Sequence, residues 1–148
     1  MNHSNKEVAK TIFTLFQRSY QMEADLIGVV DFPPLSRRSN DIEQVSTQFY
    51  GFYENDVLAA VIEVEIEDKQ LDIHSLTVDP AHFRKGIAGK LIHFVVDKMN
   101  FSQAIVETAA ANIPAINLYK KHGFVECKQW TPSHGIPKVA LLLDNSML

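Results

Sequence analysis

The segment Leu76-Thr77-Val78-Asp79-Pro80, continued by Arg84-Lys85-Gly86-Ile87-Ala88-Gly89-Lys90-Leu91, decides the fold. An apolar run with strand character stops at Pro80, which has no N–H to give to a sheet ladder. A turn rich in small residues then opens straight into a helix whose apolar stripe is Ile87, Leu91, Phe94, Val95 and Met99. A helix that begins this way has several backbone N–H groups without intrahelical partners, and its dipole favours an anion there. Arg84 and Lys85 add two cations at the mouth. The arrangement suits a pyrophosphate.

Working outward from this turn, the neighbouring elements follow from periodicity. Val8, Ile12, Leu15 and Phe16 recur at helical spacing, which predicts an amphipathic helix over about 5–24. Pro33-Pro34 ends regularity. A short helix is expected over Asp41–Gln48. Strands are expected over Phe49–Tyr53 and Val57–Ile66, around a polar turn at Glu54-Asn55-Asp56. In the second strand, Val57–Ile62 reads as buried on both faces and Glu63–Ile66 as an alternating strand whose carboxylates suit a solvated face. Leu71–Val78 is the third strand, and the helix over Gly86–Met99 leads to a strand at Gln103–Thr108. Pro114 opens a last helix that Gly123 closes, and strands at Phe124–Trp130 and Lys138–Leu143 finish the chain. The order places one βαβ crossover inside a mixed sheet with helices on both faces.

Composition narrows the function classes. The 148 residues suit one domain, 1–148, with an ordinary core, and a net charge of −4 argues against a general nucleic-acid or membrane-surface binder. The lone Cys127 can build no internal disulfide and no cysteine zinc site, and reads as a small buried hydrophobe. No apolar run approaches the length of a membrane span, and the amino terminus lacks a signal-peptide pattern, so a cytoplasmic protein is expected. The six histidines show no metal-ligand spacing, so no metal is expected.

Two common phosphate motifs do not fit the turn. A P-loop aligned on Gly89-Lys90 needs glycine at Arg84 and a hydroxyl at Leu91. The dinucleotide fingerprint needs glycines where Ala88 and Leu91 stand. What does fit is motif A of the GNAT superfamily of acyl-CoA-dependent N-acyltransferases, a strand, V-x-P and [QR]-x-x-G-x-[GA]. Val78-Asp79-Pro80 and Phe83-Arg84-Lys85-Gly86-Ile87-Ala88 resemble it, with Phe83 in place of the usual Gln or Arg. One helix and one strand later, Glu107, Asn112, Ala115-Ile116, Leu118-Tyr119 and Gly123-Phe124 resemble motif B of the same family.

The resemblance implies a GNAT-type fold, a central mixed and mostly antiparallel sheet in which a parallel strand pair splays. It implies acetyl-CoA as acyl donor, its pantetheine arm along the backbone of Leu76 and Val78 and its diphosphate on Arg84, Lys85, Gly86, Ile87, Ala88, Gly89 and Lys90. Asn112 would contact the cofactor arm, although Asn is equally at home at a helix start. Tyr119 would stand beside the thioester sulfur and protonate the departing thiolate. Glu107 is the first candidate for the proton acceptor, in a layout similar to the ribosomal-protein N-terminal acetyltransferases. A carboxylate on the apolar strand 104–107 is also costly to bury without purpose. Glu63, Glu65, His74 and a water relay are the other candidates. The implied activity is acetyl transfer to a primary amine by a monomer or homodimer. The alternatives are a non-catalytic acyl-CoA-binding or sensor module and a nucleotide-binding regulator. The acceptor would meet the amino-terminal helices and the last inter-strand loop, where Tyr20, Glu23, Asp25, Asp31, Phe32, Trp130 and His134 lie; the acidic residues among them hint at a cationic amine.

Overall fold

The amino-terminal helix α1, Lys6–Ile27, forms where the sequence places its stripe. Asn5 caps it by accepting from the N–H groups of Glu7 and Val8 at 2.9 and 3.3 Å, and Gly28, at φ 73°, ends it in the left-handed region. A computed structural model describes residues 1–145 of the chain. After a 3-10 turn at Pro33–Ser36 come a short helix α2, Ser39–Gln44, and strands β1, Gln48–Glu54, and β2, Val57–Glu67. Strand β3, Gln70–Val78, runs into a second 3-10 turn, Pro80–His82, and helix α3, Ile87–Lys98. Strand β4, Gln103–Ala109, helix α4, Ile113–Lys121, and strands β5, Val125–Trp130, and β6, Lys138–Asp144, complete the chain.

The sheet order is β1-β2-β3-β4-β6-β5, with β3 and β4 its parallel pair. Two hairpins tighten the first half. Asn55 and Asp56 at φ 51° and 63°, and Asp68 and Lys69 at 51° and 64°, supply the paired left-handed residues of two-residue hairpin loops. One face of the sheet packs α1 and α2 through Ile12, Phe16, Ile42, Phe49 and Val61. The other packs α3 and α4 through Ile62, Leu71, Ile87, Leu91, Ile116 and Tyr119. Each large apolar side chain removed from water contributes about 1.5–3 kcal/mol.

Two irregularities prepare the site. The β2–β3 register runs Glu63 to Ser75 and then Val64 to Ile73, which leaves His74 as an extra residue on β3. The β3–β4 register begins at Gln70–Gln103 and ends at Ile73–Val106, although both strands continue. The splay implied by the family resemblance is therefore present from His74 onward.

Two expectations need correction. Glu63 does not sit on a solvated face; it is 2% exposed, because the bulge sets it opposite Ser75 and beneath Arg37. Cys127 is not buried; it is exposed on the edge strand β5.

Candidate active site

The turn after β3 is held from two sides. Arg18 of α1 donates to both carboxylate oxygens of Asp79 at 3.0 Å, and Asp79 accepts from Ala81 N–H at 3.0 Å. Burial works against ionisation of Asp79, but Arg18 and the Ala81 amide outweigh it and keep the carboxyl below its ordinary range. Glu54, from the first hairpin, binds the Lys85 ammonium and lies 3.5 Å from His82 Nδ1. The segment between is left-handed at Arg84, φ 65°, and Gly86, φ 72°.

Gly86 is the N-cap of α3, and among the described residues no side chain caps that helix. Its first internal bond runs from Lys90 N–H to Gly86 C=O at 3.2 Å, so the N–H groups of Ile87, Ala88 and Gly89 stand free of the helix ladder. A Cβ built on Gly86 would meet nothing within 4 Å, because the position faces open space.

That space is a cleft of about 590 Å³ whose wall includes Leu76, Val78, Phe83, the run from Arg84 to Gly89, Asn112 and Leu118. Lys90 stands apart from it, its ammonium 5.4 Å from the centre of the Phe52 ring. A second cavity of about 460 Å³ opens on the other side of Leu76 and holds Tyr119, Glu107, Tyr20, Phe32, His134 and Lys138 in its wall. Glu23, Leu76, Asn112 and Ala115 line both. The candidates from two separate stretches of sequence, 76–89 and 107–119, thus line two cavities that share a wall.

Individual groups differ in what they can do there. Tyr119 is 4% exposed, its ring against Phe124 at 5.4 Å, and burial pushes its phenol well above the ordinary range. It is a proton donor, not a phenolate, at neutral pH. Asn112 caps α4, its Oδ1 accepting from Ala115 N–H at 3.3 Å, and its side chain favours the ionised form of the neighbouring Glu23. Glu107 is half exposed and pairs with Lys138 at 3.3 Å, so no cost of burial attaches to it.

Glu63 is fully engaged. Arg37 grips both its oxygens at 2.7 and 2.9 Å, and the hydroxyls of Thr47 and Ser75 donate at 2.6 and 3.1 Å. Burial raises its pKa, but these donors more than offset it, so Glu63 stays ionised below the ordinary range. Glu65 bonds His74 at 3.2 Å, and with Asp72 the three bring ligand-type atoms within 4.8 Å of one another. His74 also borders the 460 Å³ pocket; Glu65 does not.

Of the acceptor-side residues expected from the sequence, Tyr20, Glu23, Phe32 and His134 line the pocket, whereas Asp25, Asp31 and Trp130 lie outside it. Sequence reasoning did not single out Arg37 or Lys138. A signal for Arg37 existed: a glutamate inside an apolar strand needs a cation to be buried, and Arg37-Arg38 follows the double proline.

Residues 9–124 match the acetyltransferase (GNAT) family. The chain belongs to that family. This GNAT chain is also 32% identical over 137 residues to the UPF0157 protein YqkA of Bacillus subtilis (strain 168). The match covers 92% of the chain and 40% of that relative, so the chain spans well under half its length. Among solved structures, the GNAT fold here is similar to the ribosomal-protein-S18-alanine N-acetyltransferase of Escherichia coli. The TM-score is 0.77 at 19% identity, covering 97% of this chain and 92% of that one. It is similar as well to a putative acetyltransferase of Salmonella typhimurium solved with its cofactor acetyl-CoA, at TM-score 0.70 and 16% identity over 95% and 90% of the two chains. Among the described residues no helix is long and apolar enough to cross a membrane.

Proposed function

We propose that this GNAT domain transfers an acetyl group from acetyl-CoA to a primary amine, by direct attack in a ternary complex. The observation that carries the reading is the adjacency of two cavities. The cleft floored by the open N-terminus of α3 shares a wall with the pocket that contains Tyr119 and Glu107. A ligand with a diphosphate at one end and a thioester at the other spans such a hollow. GNAT membership supports the donor, as does the Salmonella typhimurium neighbour solved with acetyl-CoA.

In this reading the diphosphate rests on the N–H groups from Lys85 to Gly89, with Arg84 adding charge and Lys85 held back by Glu54. The pantetheine amides pair with the free edge of β3 at Leu76 and Val78, beyond the point where β4 leaves it. The Val78 N–H faces the charge that develops on the thioester oxygen. An alkylammonium, with a pKa near 10, must lose a proton before it attacks. A carboxylate of the pocket wall takes it directly or through water. Glu107 and Glu23 are the two in that wall. Tyr119 gives a proton to the leaving thiolate.

The test is thiol release from acetyl-CoA across a panel of polyamine, aminoglycoside and peptide amines. Acceptor-dependent release that falls in Tyr119→Phe is expected. Stabilisation by CoA without release for any amine would mark a non-catalytic acyl-CoA-binding module instead.

A further inference from the structure

Four residues line both cavities, and Glu23 is the charged one among Glu23, Leu76, Asn112 and Ala115. It comes from α1, far in sequence from both family motifs. The other charged groups of the inner pocket are neutralised nearby. Arg37 is bound by Glu63 at 2.7 Å, Lys138 by Glu107 at 3.3 Å, and His74 by Glu65 at 3.2 Å. Glu23 forms no ion pair among the described residues; the neighbouring Asn112 side chain and the Lys138 ammonium each favour its ionised form. Because Asn112 spends its oxygen on capping α4 at Ala115 N–H, it offers Glu23 its amide N–H₂. The wall common to the two cavities therefore carries one carboxylate without an ion-pair partner, facing the space where donor and acceptor must meet.

We propose that Glu23 is a catalytic residue of the transfer. Its carboxylate receives the acceptor as an ammonium ion at this shared wall and takes the first proton from it. The inference rests on the acetyl-transfer reading and names the group that performs one of its steps. R–NH₃⁺ gives a proton to the Glu23 carboxylate, which later releases it to solvent. The freed amine attacks the thioester carbonyl; the C–N bond forms and the C–S bond breaks. The CoA thiolate gains a proton from Tyr119, and the second proton leaves the attacked nitrogen and restores the Tyr119 phenol through water. Amide, CoA thiol and one proton result. Glu107, half exposed and held by Lys138, forms the outer wall.

The surroundings favour this. Burial pushes the Glu23 pKa up, partly offset by Asn112 and Lys138, which brings it closer to that of the amine. The titratable groups around it are Tyr20 on its own helix, Tyr119 from α4, and Lys138 from β6. Further round the hollow lie Glu107, Arg37, His74, His134 and, at the cleft floor, His82 with Arg84 and Lys85. An ammonium ion brings a charge to this carboxylate and an alcohol does not, which favours an amine acceptor.

The experiment uses n-butylamine as probe and butan-1-ol as its neutral counterpart, with the full chain saturated in acetyl-CoA for kinetics or CoA for thermal unfolding. Butylammonium is expected to raise the Tm of the CoA-loaded protein and butanol not to. Glu23→Gln is expected to lose that shift, to lower kcat/KM on the order of 10²-fold, and to erase the acid limb of its pH profile. Glu23→Asp is expected to keep the limb, and Glu107→Gln to keep both limb and ammonium shift. The inference is overturned if Glu23→Gln keeps the limb and a rate within about threefold of wild type, if Glu107→Gln is the variant that erases the limb, or if butylammonium gives no shift. Stabilisation of wild type by CoA alone is read separately. Its absence would overturn the acetyl-CoA reading itself, whereas its presence in Glu23→Gln confines a failure to the role of Glu23.

Discussion

Replacing Arg37 with methionine keeps most of the side-chain volume and removes the cation from a buried pair. Glu63 is left with a side chain 3% exposed and a full charge, solvated by the hydroxyls of Thr47 and Ser75. Breaking a buried pair from one side costs about 3–5 kcal/mol. The Arg37 side chain is 25% exposed, so water reaches the vacated end, and two hydroxyl donors remain; the lower figure, about 3 kcal/mol, applies. For 148 residues the unfolding entropy is about 0.3 kcal/mol per degree, and the expected fall in Tm is about 10 °C at pH 7. Acidification supplies the sign. In the wild type the Glu63 pKa lies below its unfolded value, so its stabilisation is present above the unfolded pKa and disappears as pH falls through the folded one. In Arg37→Met the desolvated carboxylate has a raised pKa, and its penalty is relieved as pH falls through that value. The gap between the two proteins should therefore narrow between pH 7 and pH 4. Adding Glu63→Gln to Arg37→Met should recover more than half the loss at pH 7. Thermal unfolding followed by circular dichroism measures all of this. A single variant within 2–3 °C of wild type at pH 7, roughly a kcal/mol by the same conversion, would refute the reasoning. So would a gap that does not change with pH.

Tyr119→Phe should lower acceptor-dependent thiol release by about 10²-fold while leaving Tm nearly unchanged, because the ring contact with Phe124 survives. Gly86→Ala should cost about 1 kcal/mol, some 3 °C, since φ 72° is strained for any side chain even though nothing crowds the added carbon. It should weaken CoA binding by more than that, because the carbon enters the cleft; calorimetric titration with CoA measures it. Asn112→Ala removes the α4 cap and should lower Tm by about 3 °C, and it should also reduce turnover by freeing Glu23.

Most of the fold was legible because local signals agreed. The helical stripe of α1, the proline that ends β3, Gly86 at the start of α3 and Gly123, at φ 93°, after α4 each specify their own neighbourhood. The βαβ unit around α3 follows from order alone. The turn into α3 was readable for the same reason: a helix N-terminus is a local object. The acceptor side was not, because its parts are distant in sequence. Glu23, Arg37, Ser75 and Lys138 come from α1, a loop, β3 and β6, and only the sheet brings them together. The burial of Glu63 was not legible because the groups that cover it, Arg37, Thr47 and Ser75, come from elsewhere in the chain and β2's own sequence does not carry them.

That bulge also explains why one sheet can make both cavities. The last parallel pair, Ile73 with Val106, comes immediately before the extra residue, His74. From there β3 remains paired to β2 as far as Val78, and β4 remains paired to β6 as far as Ala109. Each strand keeps its outer neighbour, so the sheet opens along one seam without losing its other ladders. The same insertion sets Ser75 opposite Glu63, which fixes Arg37 on the pocket wall. A flat, continuous β3–β4 ladder would fill the seam with its own hydrogen bonds and leave the N-terminus of α3 facing solvent with no path to Tyr119. One additional residue in a strand thus marks where the sheet opens between the N-terminus of α3 and Tyr119, and Glu23 lines the cavities on both sides of that opening.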